Sequence, residues 1–171
     1  MQPVLPQRHG ETGVFQFQLI QTIRRTPEDV LALLTSFREI PRYVPQVSSA
    51  EQTSPGPVRA GTTFIQHGRF LGRRMAVSTT VTVHEPPRRF GYSAAGPLPY
   101  EALYTLTPVP EGTHLSAEVA VTPRWPLALL EPLLARTVLS LYQNNLNRMR
   151  QVLEERGSPV AAATHPGFPA S

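Results

Sequence analysis

The spacing of apolar and polar residues near the start of the chain predicts a strand followed by a short helix. Strict alternation from Phe15 to Ile23 is typical of a half-buried strand. Thr26-Pro27-Glu28-Asp29 then combines a capping threonine, a proline at the first helical position and an acidic residue three positions after the cap. The apolar residues that follow predict one buried helix face, formed by Val30, Leu31, Leu33 and Leu34. Prolines punctuate a second short helix or turn from Phe37 to Tyr43.

In the middle of the chain, apolar and polar residues alternate with a period of two throughout, and this pattern predicts consecutive strands. Proline- and glycine-containing turns separate the apolar runs. These connections are too short for parallel crossovers, so the strands are expected to pair antiparallel. The predicted strands are Val47–Thr53, Thr62–Arg69, Arg74–His84, Arg88–Ala94, Tyr100–Thr107 and Thr113–Thr122.

After these strands, the pattern changes to a helical period over one long amphipathic stretch, Pro126–Arg156. A helix of roughly 27 residues would be about 40 Å long, enough to lie across a whole sheet. The predicted apolar face comprises Leu127, Leu130, Leu134, Val138, Leu141, Tyr142, Met149, Val152 and Leu153. The predicted polar face comprises Arg136, Gln143, Asn147, Arg150, Gln151 and Glu154.

One polar residue of this stretch, Asn145, falls near the middle of the apolar face. An amide is costly to bury there unless it is hydrogen-bonded. Asn145 is therefore expected to bond either a protein group or a ligand.

The predicted element order is β-α-α-β6-α, which indicates an α+β fold with an antiparallel sheet. Such a sheet needs its apolar face covered, and only the C-terminal helix is long enough to cover it. Phe64, Phe90, Tyr92 and Tyr104 alternate onto the face that would meet this helix. The rings are expected either to fill the core or to line a small-molecule cavity.

Length and composition predict a single domain, at residues 14–156 of the 171-residue chain. Residues 1–13 are expected to form a flexible arm and residues 157–171 a disordered tail, because neither has much to bury. The N-terminus has no apolar signal region, and no apolar run is long enough for an integral membrane segment. A cytoplasmic location is the expectation.

The basic residues are all arginine: there are 16, against 12 acids, for a net charge of +4. Arg69, Arg73 and Arg74, followed by Arg88 and Arg89, could form a phosphate-binding patch, but they lie beside predicted turns, where arginine is ordinarily solvated. No nucleic-acid-binding module accompanies them, so no nucleic-acid partner is expected.

Residue types and spacing predict no catalytic residue, metal site or cofactor. The chain has no cysteine, and the sheet histidines (His67, His84 and His114) lack the spacing of metal ligands. Glu101 and Glu118 could act as an acid–base pair, but strand parity places both opposite the apolar face and predicts that they face solvent.

Five short motifs, in order along residues 14–156, resemble those of the START-like (SRPBCC) helix-grip superfamily, and in particular its polyketide cyclase/dehydrase and lipid-transport branch. The long C-terminal helix, with Asn147–Glu154 in place of the closing family motif, resembles that superfamily too. The motifs are Thr26-Pro27-Glu28-Asp29-Val30, the segment Phe37–Pro45, Gly61-Thr62-Thr63-Phe64, Glu85-Pro86-Pro87-Arg88-Arg89-Phe90 and Glu111-Gly112-Thr113-His114-Leu115.

The resemblance implies a curved antiparallel sheet that grips a long helix, with a deep hydrophobic cavity between them. Members of this superfamily include cyclases, hormone receptors, lipid carriers and chaperone activators, so the fold does not fix the function. None of the matched motifs is catalytic, and therefore no catalytic role is carried over.

We therefore expect the chain to bind a hydrophobic or amphipathic small molecule, such as a lipid, isoprenoid, polyketide or aromatic compound. Trp125 is expected to plug one end of the cavity. Two alternatives stay open: a polyketide cyclase/dehydratase-like enzyme, and a protein-interaction module with an exposed apolar patch. The sequence also leaves open whether the protein is a homodimer. The predicted ligand-binding residues are Phe64, Phe90, Tyr92, Tyr104, Leu134, Val138, Leu141 and Asn145.

Overall fold

Seven antiparallel strands form one sheet in the order β1-β7-β6-β5-β4-β3-β2. The computed structural model describes residues 14–70, 72–96, 98–124 and 127–156. The predicted arm at residues 1–13, the predicted tail at 157–171 and the predicted plug Trp125 lie outside these residues. The strands are β1 (Phe15–Ile23), β2 (Val47–Gln52), β3 (Thr63–Phe70), β4 (Arg73–Glu85), β5 (Arg89–Ala94), β6 (Tyr100–Val109) and β7 (Gly112–Val121).

In the described ranges, three α-helices accompany the sheet: α1 (Pro27–Thr35), α2 (Ile40–Tyr43) and α3 (Glu131–Glu155). Two 3₁₀ turns, Phe37–Glu39 and Leu127–Leu130, precede α2 and α3. The predicted α+β architecture is confirmed. The strands β2 to β7 begin and end within two residues of their predicted bounds.

Local signals explain where α1 begins and which face it buries. The Thr26 hydroxyl accepts a hydrogen bond from the backbone N–H of Asp29 at 3.2 Å, so the predicted cap forms. Val30, Leu31, Leu33 and Leu34 are all buried, as the sequence pattern predicted.

The strand register decides which side chains share the inner face. Phe15 pairs with Val121, Val121 with Tyr100, Tyr100 with Ala94, Ala94 with Thr79 and Thr79 with Phe64. This row crosses six strands. Because side chains alternate along each strand, residues two positions away from this row face the same side. A bulge between Val81 and Val83 interrupts the alternation in β4 and pairs His84 with Phe90.

Helix α3 packs against β1 and α2 and closes the inner face of the sheet. Its buried residues are Leu134, Val138, Leu146, Met149 and Leu153. The prediction that Leu130 is buried was wrong, because Leu130 is 51% exposed. Leu130 belongs to the 3₁₀ turn before α3. Because a 3₁₀ turn has three residues per turn rather than 3.6, its side chains do not continue the apolar face that an α-helix would produce.

The polar face of α3 also differs from the prediction at four positions, because Gln143, Asn147, Arg150 and Glu154 are half-buried rather than fully solvent-facing. The Gln21 side chain of β1 meets this part of the helix: in the amide orientation that satisfies both of its ends, Nε2 donates to the Leu146 carbonyl and Oε1 accepts from Arg150 Nε, each at 3.3 Å. Gln21 continues the inward-facing alternation of β1, which puts a polar side chain opposite the helix. Among the described residues, no helix is both long enough and apolar enough to cross a membrane.

Candidate ligand-binding cavity

A cavity of about 190 Å³ lies between the inner face of the sheet and helices α2 and α3. Strands β2 to β7 all contribute to one wall, most of it from β3 to β6, and α3 supplies the opposite wall. The lining is predominantly apolar and aromatic, which is the usual character of a small-molecule site. The lining residues are Leu34, Ile40, Tyr43, Val44, Gln46, Val47, Phe64, Gln66, Gly68, Arg69, Met75, Val77, Phe90, Tyr92, Leu98, Tyr100, Tyr104, Val121, Val138, Leu141, Tyr142, Asn145, Leu146 and Met149.

All five tyrosines of the chain line this cavity: Tyr43, Tyr92, Tyr100, Tyr104 and Tyr142. The Tyr92 and Tyr104 hydroxyl oxygens lie 3.4 Å apart, so one can donate weakly to the other. The ring of Tyr92 lies 6.0 Å from that of Tyr100, which lies 6.3 Å from that of Tyr142, in edge-to-face arrangements. Tyr92, Tyr100, Tyr104 and Tyr142 thus form one connected cluster.

Burial raises the pKa of each of these five tyrosines above its ordinary value, because a phenolate would be poorly solvated inside the cavity. The phenols are therefore protonated and neutral at physiological pH. Neutral phenols can donate and accept hydrogen bonds, but they are poor proton acceptors for acid–base catalysis.

Two side-chain amides on the cavity wall have oxygens without hydrogen-bond partners. Asn145 Oδ1 and Gln46 Oε1 are both buried, and neither accepts a hydrogen bond within the described part of the chain. Gln66 is different, since its Nε2 donates to the Thr79 hydroxyl at 3.1 Å. Asn145 and Gln46 thus line the cavity, but their side-chain oxygens lie behind its surface, out of reach of a water-sized group.

The structure brings seven of the eight predicted ligand-binding residues together around the cavity: Phe64, Phe90, Tyr92, Tyr104, Val138, Leu141 and Asn145. Leu134 is the exception, since it is buried but does not line the cavity. It lies one helical turn before Val138, toward the start of α3, and packs in the core. Contact between any of these residues and a ligand remains a prediction.

Sequence reasoning missed several lining residues, of which Tyr43, Tyr100, Tyr142 and Gln46 are the most important. The sequence pattern puts Tyr142 on the apolar helix face and Tyr100 in a strand, but it does not place either at the site. Gln46 lies between α2 and β2, where no periodicity exists to predict a direction. No sequence signal separates these tyrosines from other residues, because the predicted strands, helices and turns cover most of residues 14–156.

The groups considered for catalysis lie elsewhere. His67, Glu101 and Glu118 are exposed, as strand parity predicted for the two glutamates. Glu101 and Glu118 border a shallow depression on the outer face of the sheet. No Asp, Glu or His is found among the described residues that line the inner cavity, and no cluster of three potential metal ligands occurs in the described ranges.

Arg69 is the one charged residue among the described residues that line the cavity. Its position in β3 alternates with the inward-facing Gln66 and Gly68, and it pairs across the strands with Arg74 on the outer face. Arg69 is also exposed. Its guanidinium group is therefore expected to remain in solvent at the edge of the cavity.

Comparisons with known proteins agree with this architecture. The family model for polyketide cyclase/dehydrase and lipid transport matches residues 15–154. Zhui aromatase/cyclase from a Streptomyces species superposes with a TM-score of 0.74 at 13% identity, covering 86% of this chain and 98% of that protein. A protein from Thermus thermophilus gives a TM-score of 0.72 at 18% identity, covering 84% of this chain and 99% of its own.

The two-domain aromatase/cyclase StfQ of the steffimycin biosynthetic pathway is also similar, with a TM-score of 0.69 at 18% identity. The alignment covers 84% of this chain and 51% of StfQ, so this chain spans about half of that protein. At such identities the likeness shows the shared fold alone. No functionally curated protein matches the sequence.

Proposed function

The chain belongs to the polyketide cyclase/dehydrase and lipid transport family, and we propose that it binds a hydrophobic or amphipathic small molecule in the cavity between the sheet and α3. The observation that carries this proposal is the cavity itself, about 190 Å³ in volume and lined largely by apolar and aromatic side chains of the described structure.

A cavity-filling variant on α3 provides a direct test. Leu141 lines the cavity, whereas Leu133 is 64% exposed on the same helix. Leu141→Trp should fill part of the cavity and abolish binding of added naphthalene, and Leu133→Trp serves as the matched control. Titration of naphthalene fluorescence measures the affinity, and native mass spectrometry of the freshly purified protein detects any ligand that remains bound.

The expected result is binding by the wild-type protein and by Leu133→Trp, with loss in Leu141→Trp. Equal binding by all three proteins would place the site outside the cavity. Absence of naphthalene binding together with absence of a copurified molecule would overturn the proposed function.

A cyclase or dehydratase is the second candidate, favoured by the paired hydroxyls of Tyr92 and Tyr104 and by the structural likeness to aromatase/cyclases. The paired hydroxyls could hold a carbonyl oxygen of a substrate. It ranks second because the described lining supplies neutral phenols and no carboxylate or imidazole as a base. Conversion of a copurified ligand that slows by orders of magnitude in Tyr104→Phe would favour the enzyme.

A protein-interaction module, the other alternative, would have a filled core and an exposed apolar patch. Leu129 and Leu130 of the 3₁₀ turn before α3 and Leu133 of its first turn are exposed, which is consistent with the second requirement. The cavity does not agree with the first requirement, a filled core. Ligand binding therefore accounts for more of the structure.

A further inference from the structure

We propose that the end of the molecule at which α3 begins is a docking surface for a bilayer that contains anionic phospholipid. Exposed leucines at this end enter the headgroup region of the bilayer, and the arginines near them bind lipid phosphates. The inference goes beyond the proposed function, because vesicle binding is measured with no ligand added to the cavity.

The exposed apolar side chains are concentrated in one short segment. In the described ranges, the exposed large hydrophobic residues are Leu129, Leu130 and Leu133, each more than half exposed. They belong to the 3₁₀ turn and the first turn of α3, and Pro132 between them is exposed too. A single exposed leucine is normal on a protein surface, whereas a contiguous apolar patch indicates an interaction site.

The strand register places the β3–β4 hairpin at the same end of the sheet as these leucines. β7 ends at Val121, in the cross-strand row that includes Thr79 of β4, and the 3₁₀ turn and α3 follow β7 in the chain. The ends of β3 and β4, which pair at Phe70 and Arg73, extend past this row in the direction in which β7 ends. The hairpin and the start of α3 therefore lie beyond the same edge of the sheet.

Unpaired arginines accompany the leucines. Arg124 comes shortly before the 3₁₀ turn, and Arg136 lies about one helical turn after Leu133. Arg73, the first residue of β4, alternates onto the inner face of the sheet, where α3 lies. All three arginines are exposed, and none of them takes part in an ion pair within the described part of the chain. Glu131 is the one acidic residue in the sequence between Arg124 and Arg136.

Two further arginines face each other across the hairpin. Arg69 of β3 and Arg74 of β4 are directly opposite partners, and both are exposed. Like charges in this arrangement destabilise a sheet. Neither strand carries an acidic residue before Glu85, at the far end of β4. An anionic surface would relieve this repulsion, and a guanidinium group binds phosphate oxygens in pairs.

A bilayer fits this surface better than a second protein molecule does. Three leucines supply only part of the about 800 Å² that each partner buries in a stable protein interface. In a symmetric dimer the surface would meet itself, so that arginines would meet arginines. Apolar side chains flanked by basic ones are typical of segments that lie in the bilayer interface, where apolar burial and attraction to anionic lipid both contribute.

Cosedimentation with lipid vesicles tests the proposal on the full chain. The vesicles consist of phosphatidylcholine alone or of equal parts phosphatidylcholine and phosphatidylglycerol, and binding is measured at about 0.01 M and about 1 M salt. At low salt the wild-type protein should bind the anionic vesicles at least about tenfold more tightly than the neutral vesicles. High salt should remove most of this preference, because it screens exposed charges.

Variants then test the leucines and the arginines separately. Leu133→Ser should weaken binding to anionic vesicles at least about tenfold, whereas Leu133→Met keeps an apolar side chain and should bind as the wild-type protein does. Arg73→Gln should weaken binding about fivefold. Arg88→Gln is the matched control, because it removes the same charge from an exposed residue in the turn after the opposite end of β4, and it should have little effect.

Several results would overturn the proposal. These are a wild-type protein that binds neither kind of vesicle, binding that does not depend on lipid charge or salt, and a Leu133→Ser variant that binds as the wild-type protein does. An Arg88→Gln variant as weak as Arg73→Gln would also overturn it, because net charge alone would then explain the binding.

Sedimentation velocity distinguishes the competing occupant. A wild-type dimer that does not bind vesicles and that Leu133→Ser dissociates would assign the leucines to a second copy of this chain and overturn the proposal. The proposed function is judged separately, since naphthalene binding by Leu133→Ser should equal that of the wild-type protein whichever way the vesicle experiment turns out.

Discussion

The rings of Phe37 and Phe64 are stacked, with centroids 4.0 Å apart and planes inclined by 10°. Phe37 belongs to the 3₁₀ turn between α1 and α2, and Phe64 lies near the start of β3. The stack therefore joins the helical layer to the sheet. Phe64 also lines the cavity, so this contact holds one wall of the candidate site in place.

Replacing Phe37 by leucine should destabilise the protein by roughly 1–2 kcal/mol. The substitution keeps an apolar side chain of similar size but removes the aromatic stack. Urea unfolding followed by circular dichroism measures the change. As a control, Leu129→Ala should have almost no effect, because Leu129 is exposed. An unchanged midpoint for Phe37→Leu would show that the stack adds little.

The N-terminal cap of α1 should contribute about 1 kcal/mol, within the range of about 0.5–2 kcal/mol seen for such caps. Thr26→Ala removes the hydroxyl that accepts from the Asp29 N–H, whereas Thr26→Ser retains a hydroxyl at the same position. Chemical denaturation of both variants should show a loss in the alanine variant and little change in the serine variant. Equal losses in the two would assign the effect to the threonine methyl group instead.

Gly112 should tolerate alanine far less well than Gly56, although both have positive φ. Gly56 has a φ of 87° and open space where a Cβ would project, so Gly56→Ala should cost about 1–2 kcal/mol from backbone strain. Gly112 has a φ of 139°, and a Cβ there would collide with the Ile23 carbonyl and lie 2.7 Å from the Arg25 nitrogen. Its alanine variant should lose on the order of 3–5 kcal/mol. Thermal melts that rank the two variants equally would contradict this account.

Stability should fall in alkaline solution because burial raises the pKa of all five tyrosines in the native state. In the unfolded chain these phenols ionise at about pH 10. Below that pH, the raised pKa of the native tyrosines contributes fully to the stability of the fold. This contribution is lost as the pH rises above about 10, because the unfolded state then releases protons that the native state retains.

An alkaline titration monitored by phenolate absorbance and near-ultraviolet circular dichroism checks this prediction. The tyrosines should ionise together with the loss of tertiary structure, and the guanidinium-denatured protein should titrate near the ordinary pKa. A native protein in which one or more tyrosines ionise at about pH 10 without unfolding would refute it.

The strands and helices could be predicted from the amino-acid sequence because their signals are local. Alternation from Phe15 to Ile23, the cap at Thr26 and the proline and glycine turns each act within a few residues, and all appear in the structure. Strand parity also placed Glu101 and Glu118 on the outer face, where the structure has them. The prediction failed at Leu130, where a 3₁₀ turn replaces the first α-helical turn.

The composition of the cavity, in contrast, depends on packing between distant parts of the chain. Tyr43, Gln46, Tyr100 and Tyr142 come from a short helix, a connection, a strand and the long helix, and they meet because the sheet curves around α3. The sequence indicated that Asn145 would be buried, but whether its oxygen meets a protein donor depends on residues far away in the chain. Within the described residues, that oxygen and the Gln46 oxygen have no such donor at the cavity wall. Long-range packing sets these partnerships, and periodicity along the chain carries no information about them.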